Sequence, residues 1–198
     1  MAKVRFTKNE LKSRRDALRL YKRFLPTLQP KKKQLLSEVK QLEIRMAEKK
    51  EEDRKIRNDI ASWVKLFSEE VLPEYLPRIK DVKRGEGNIA GVAIPVLEDV
   101  AFTHAQIDLF DTPPWLDSAV SAMETLMKLK IELEIMTEQR RLIDDELTAT
   151  AQRVNLFEKV KIPEAKYHIC AITIFLGDMQ TAGVARAKLA KSKVSEAA

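Results

Sequence analysis

Two histidines, one cysteine and a few adjacent carboxylates are the residues here that could do chemistry, and their spacing argues against it. His104 and His168 lie far apart in the chain. Cys170 is the only cysteine, which excludes an internal disulfide and a four-cysteine zinc site and fits a reducing compartment. Asp144/Asp145 and Glu69/Glu70 are sequence neighbours in helical stretches. Neighbours on a helix diverge by about 100°, so these pairs suit a solvated face rather than a shared proton. GxxxxGK, HExxH, paired-cysteine and GxSxG patterns are all missing from the sequence, and with them the usual phosphate loop, zinc-protease helix, redox pair and nucleophile elbow. His168 and Cys170 fall near an apolar helix stripe, so both read as packing residues, with Cys170 buried and inert. The expectation is a non-enzyme without a catalytic centre, metal or cofactor.

The chemistry left is charge. The formal net charge is +6, unevenly distributed. Residues 1–36 hold twelve Lys/Arg against only Glu10 and Asp16, and residues 183–194 hold Arg186, Lys188, Lys191 and Lys193 with no acid. Both ends are basic and the interior is acidic in balance. Such ends attract acidic surfaces through a salt-screened field.

The elements that must position these charges are long helices. From Leu18, steps of three and four reach Tyr21, Leu25, Leu28, Lys32, Leu35, Val39, Leu42, Met46, Lys49, Asp53, Ile56, Ile60, Trp63 and Phe67, and twelve of these fifteen positions are apolar. A 3.5-residue repeat is a coiled-coil seam. Lys32, Lys49 and Asp53 interrupt it and must snorkel, pair or mark an opening. Pro26 and Pro30 lie off the seam and predict a bend or brief break, because a mid-helix proline costs about 3 kcal/mol. A second seam runs through Leu126, Leu129, Leu133, Met136, Arg140, Ile143, Leu147, Thr150, Val154 and Phe157. It then slips by one residue to Ile162, Ala165, Ile169, Ile172, Leu176, Met179 and Gly183. The slip, with Pro163, predicts a local change in supercoiling or a kink. Asp111 or Thr112 followed by Pro113 marks where this helix begins.

Each arm spans roughly 65–80 residues, on the order of 100 Å as helix, and cannot stand without a partner for its stripe. The nearest partner is the other arm. The fold class is therefore all-α, a long antiparallel two-helix coiled-coil hairpin with a short glycine-containing insert. Its parts are an N-terminal arm (1–79), the insert (80–112), a C-terminal arm (113–191) and a tail (192–198). Folding back brings both basic ends to one tip.

The insert holds Gly85, Gly87 and Gly91, then "VAIPVLEDVAF". The glycines permit backbone angles other residues resist. The β-branched run with Pro95 suits an edge strand or short hairpin. A disordered hairpin loop is the plainer alternative. Ile89, Val92, Ile94, Val96 and Leu97 are more apolar than a solvated loop requires, so the insert docks on something. No apolar run approaches the ~18 residues that span a bilayer, and "MAKVRFTKNELKSRR" lacks the apolar core of a secretory signal. The expected location is cytoplasmic.

Taken together, three stretches resemble the D subunit of V-type (archaeal/vacuolar-type) ATPases and ATP synthases. "FTKNELKSRRDALRLYKRFLPTLQPKKKQLLSEV" is similar to that family's opening Thr-Lys-x-x-Leu helix, basic turn and Leu-Leu. "NIAGVAIPVLE" resembles its glycine-valine-x-(Val/Ile)-Pro segment. "QRVNLFEKVKIPEA" matches its Arg-Val-Asn-x-(Leu/Phe)-Glu then Ile-Pro pattern at Arg153, Val154, Asn155, Phe157, Glu158, Ile162 and Pro163. Lys22-Arg23-Phe24-Leu25-Pro26 and Lys32-Lys33-Gln34 depart from the common pattern and point to a divergent bacterial branch.

The resemblance implies a central rotor shaft, non-catalytic itself. Its tip would insert into a hexamer of catalytic A and non-catalytic B subunits. The F subunit would lie beside the shaft and the socket subunit (C, or d) beneath, at the cytoplasmic face of the membrane. Arg14, Arg15, Arg19, Arg186 and Lys188 would then face the hexamer, and Ile89, Val92, Ile94 and Pro95 would carry the insert's contacts. Two other classes compete. A prefoldin-like chaperone also sets a β-element between two helical arms, but offers apolar rather than basic tips. A nucleic-acid-binding coiled coil is prompted by the Lys31-Lys32-Lys33 run, yet no aromatic platform interleaves with these lysines.

Overall fold

The computed structural model describes residues 5–61, 75–103 and 113–196. The elements in order are α1 (Lys8–Ala61), β1 (Arg78–Ile89), β2 (Val92–Thr103), α2 (Leu116–Asn155), a π turn (Leu156–Lys161) and α3 (Ile162–Glu196). The expected class holds: a mostly helical chain with a small antiparallel sheet in its middle. The predicted seam positions Trp63 and Phe67, the pair Glu69/Glu70, His104 and the cap positions Asp111 and Thr112 lie outside the described residues. The chain divides into two compact units, residues 33–148 and residues 1–32 with 149–198.

In the unit of residues 33–148, the predicted seams are the buried stripes. Leu35, Val39, Leu42 and Met46 on α1 are buried, as are Leu129 and Ile143 on α2. Seam positions at which the sequence set charge are paired. Lys49 Nζ lies 3.1 Å from Glu52 and 3.3 Å from Glu132 on α2, and Asp53 accepts a 2.7 Å hydrogen bond from Arg57 Nε. Arg140 reaches Glu43 across the same helix pair at 2.7 Å.

The insert is a hairpin rather than a loop. Its register runs from Arg78↔Thr103 to Ile89↔Val92, with irregularities at Ile79/Asp81 and Lys83/Arg84. Ile89 and Val92 face each other, which leaves a two-residue turn of Ala90 (φ 53°) and Gly91 (φ 84°). Two successive positive φ values are the mirror-image turn whose twist matches paired strands. The Asn88 side chain accepts a hydrogen bond from Gly91 N at 2.9 Å and braces the turn.

Only Gly91 among the insert's glycines takes a positive φ. The expected role for Gly85 and Gly87 is corrected: Gly87 serves close approach, since a Cβ there would sit 2.7 Å from Val96 Cγ2, whereas one on Gly85 would meet only the flexible end of the Glu98 side chain.

The hairpin docks on its own helices. Ile94 is 5% exposed and packs with Leu35, Val39, Leu42 and Ile143, with Ile89, Ala90, Val92 and Leu147 against that cluster. Gln139 Nε2 on α2 donates to the Pro95 carbonyl at 2.6 Å. A strand residue's C=O and N point to the same side, so Pro95's missing donor also faces away from β1 and no ladder bond is lost. To meet the hairpin, α2 uses a second stripe that the seam reading did not include. Ile131 and Ile135 are buried off the seam, and Ile135 lines a pocket with Val96, Leu97 and Gln139.

In the unit of residues 1–32 with 149–198, Thr7 caps the start of α1: its hydroxyl accepts from Glu10 N at 3.3 Å and satisfies one of the helix's orphan donors. The helix continues unbroken through Pro26 and Pro30, so the predicted break does not occur. Thr150, Val154, Ala165 and Ile172 are buried here. Tyr21 stacks on Phe157 at 5.4 Å and 24°, and Phe6 meets Phe175 at 5.0 Å. These two contacts run the helices antiparallel.

Candidate functional site

The sequence singled out the basic ends, and the antiparallel register decides where each falls. Arg14, Arg15 and Arg19 follow Phe6 along α1, whereas Arg186 and Lys188 follow Phe175 along α3 in the opposite sense. Some twenty residues of helix, on the order of 30 Å, therefore separate Arg15 from Arg186. The two sets are not one cluster. Arg14, Arg15 and Arg19 sit where two helices run side by side, and Arg186 and Lys188 sit beyond the described start of α1.

The charges also differ in freedom. Arg14 Nε donates to Glu10 Oε1 at 2.8 Å and is half-buried. Arg19 stands 3.8 Å from Asp16 and is mostly exposed. Arg15, Arg186 and Lys188 are exposed, and the described ion pairs do not include them.

From Gly177 to Ser195 every α3 residue except the half-buried Gly183 is exposed, including Met179, Val184, Leu189 and Val194. Between Asp178 and Glu196 the charges are all positive: Arg186, Lys188, Lys191 and Lys193. About five turns of cationic helix with apolar side chains thus have no covering helix among the described residues of this unit.

The family-motif residues take two roles. Val154 is buried and Ile162 half-buried on the seam, whereas Arg153, Asn155, Glu158 and Pro163 are exposed on or beside the π turn. Cys170 is exposed, which corrects the buried reading: it falls one residue past the seam position Ile169 and so turns outward. His168 is half-buried, its ring 5.9 Å from Tyr167, and its Nδ1 has no hydrogen-bond partner. Among the described residues no cluster of His, Cys, Asp or Glu could hold a metal.

One expectation about hydropathy is corrected. Within the helical run Leu116–Ser195 an 18-residue window reaches a mean hydropathy of 1.2, long and apolar enough by length and composition to cross a membrane. Uncharged residues dominate the run between His168 and Ala185, so the average passes although the longest unbroken apolar stretch, Ile169 to Ile172, is short.

Long helices with buried heptad stripes and a small antiparallel hairpin packed on them define a class: a mostly helical scaffold with a two-stranded sheet in its middle. Comparison with known proteins gives the particular family. The profile for the D subunit of ATP synthase matches residues 10–192. The V-type ATP synthase D subunit of Borreliella burgdorferi is 43% identical over 194 residues, covering 98% of this chain and 96% of that relative. That of Chlamydia muridarum is 33% identical over 201 residues, covering 98% of each, and that of Chlamydia pneumoniae 32% over 194 residues, covering 96% of this chain and 93% of its own. The chain belongs to the family of ATP synthase D subunits, in its V-type branch with bacterial members.

Proposed function

We propose that this chain is the central shaft of a V-type rotary ATPase or ATP synthase, non-catalytic itself. It passes torque between a hexamer of A and B subunits, which carry the nucleotide, and the ion-translocating ring. The F subunit lies beside it and the socket subunit (C, or d) beneath, at the cytoplasmic face of the membrane.

One observation carries this reading: the cationic end of α3, with Arg186 and Lys188, has exposed apolar side chains and no covering helix among the described residues of its own unit. A shaft entering a ring needs such an end, long enough to reach the bearing and held there by charge rather than by a deep lock. Electrostatic attraction tolerates sliding between several orientations, whereas interdigitated apolar packing does not. The half-buried seams of α1 and α3 below it supply stiffness, because two supercoiled helices resist twist and bending better than one. Ile89, Val92, Ile94 and Pro95 hold the hairpin to the helices, and this braced element is the surface offered toward the subunits nearer the membrane.

The test reverses charge where no described ion pair within the chain is broken: Arg15→Glu, Arg186→Glu and Lys188→Glu together, in the reconstituted complex. ATP-driven rotation and assembly fall at low ionic strength and the deficit narrows as salt rises, since exposed charges are screened beyond about 10 Å at 0.1 M. Equal activity of variant and wild type at low salt refutes the role of these residues.

A further inference from the structure

The second seam carries one residue too many. Phe157 to Ile162 is a step of five where the 3–4 rhythm allows four. In an unbroken α-helix one extra residue turns everything after it by about 100°, which would swing Ala165, Ile169 and Ile172 off the partner. They do not swing off: Val154 before the step and Ala165 and Ile172 after it are all buried.

The six-residue π turn Leu156–Lys161 lies at the step. The Ile162 N–H donates to the Phe157 carbonyl, five residues back rather than four, and that wider loop of backbone absorbs the surplus residue. Pro163 holds the turn in place. It is the second residue of α3 and so sits in a first turn. The wide turn before it eases the clash that its ring would make in a continuous α-helix with the carbonyl four residues earlier, although its missing N–H leaves one bond unmade. From the facing helix Tyr21 stacks on Phe157, at the start of the turn.

We propose that this turn is a conformational joint. The surplus residue is slack stored in the backbone, and the helix opens here in preference to its flanks. By loosening its wide hydrogen bonds, the joint lets α3 make small rotations against α1, well short of the roughly 100° that would take the seam off its partner. The physical reason is a local deficit of bonding. The wide turn has poorer hydrogen-bond geometry and Pro163 donates no bond. The outward side chains Leu156 and Val160 are about half exposed, so little packing is lost on opening.

Two measurements on the isolated full-length chain test this without other subunits, so the proposal stands or falls separately from the shaft role. In hydrogen–deuterium exchange, amides of residues 158–162 exchange at least about ten-fold faster than those of 150–154 and 169–173, the pattern of local opening. Deleting Lys159, with Pro163→Ala, leaves a continuous helix with its seam in phase. That variant keeps or raises the melting temperature and slows exchange across the former turn to the level of its flanks. Deleting Asp144 instead turns Leu147, Thr150 and Val154 off the seam and lowers melting by more than about 10 °C, as losing several buried side chains would. The proposal is overturned if the Lys159 deletion costs as much as the Asp144 deletion, or if residues 158–162 exchange as slowly as their flanks.

Discussion

Replacing Ile94 by alanine should release the hairpin from the helices. The side chain is 5% exposed against Leu35, Val39, Leu42 and Ile143. Three carbons are removed, each worth about 0.8 kcal/mol of lost burial. The helices cannot collapse fully into the gap, because Leu35 and Ile143 are held on both sides by the seam, so a cavity term adds to the loss. The sum is about 3 kcal/mol, within the usual range of roughly 2–5 kcal/mol for such truncations. For a chain of this size that lowers the melting temperature by about 6–12 °C. Denaturation followed by circular dichroism gives the total, and hydrogen exchange locates it, with strands 78–89 and 92–103 losing protection before the helices. Val96→Ala is the control: Val96 is 38% exposed on the same strand, and its truncation costs under about 1 kcal/mol. If the Ile94 and Val96 variants are equally stable, the hairpin does not depend on this cluster and the docking argument fails.

Ala90→Gly should stabilise the chain by up to about 1 kcal/mol, because alanine in the left-handed region bears a penalty that glycine escapes, partly offset by glycine's freedom in the unfolded chain. Ala90 sits at φ 53°, and a lower denaturation midpoint for the variant would contradict that turn geometry. Lys49 is held above its ordinary pKa of 10.5, first by its hydrogen bond to Glu52 and then by Glu132, against the desolvation that lowers it. A raised folded pKa means the stabilisation is complete below the unfolded value and disappears as pH climbs through the folded one. The double variant Glu52→Gln/Glu132→Gln should therefore be less stable at neutral pH by about 0.2–1 kcal/mol, the range of exposed ion pairs. The gap should close in urea titrations above about pH 10.5, and a gap that persists there would mean these pairs do not act through Lys49's charge.

How legible the molecule was varies with the range of the interaction. Heptad spacing marked Leu35, Val39, Leu42, Ile143 and Val154 because a buried stripe on a helix repeats locally, whatever the partner. The same counting exposed the surplus residue before Ile162, since a phase error is a property of the string. The basic charge of both ends against an acidic interior was equally plain. What the string left open was how the surplus residue would be absorbed. Kink, altered supercoil and π turn all restore phase, and the choice rests on Pro163 together with packing against α1. Cys170 turned outward because one residue's rotation separates seam from surface, finer than a pattern read to within a residue.

By itself, then, the order of residues determined two helical arms, the place of the hairpin and the sign of charge at each end, for these depend on neighbours within a few turns. Only the tertiary structure decided that Ile94 is a core residue, that α2 carries a second stripe through Ile131 and Ile135, and that Arg15 and Arg186 stand at different levels. Each of these depends on the register between segments distant in sequence. Register is set by the summed packing of whole faces, with Phe6 on Phe175 and Tyr21 on Phe157 among the contacts that hold it.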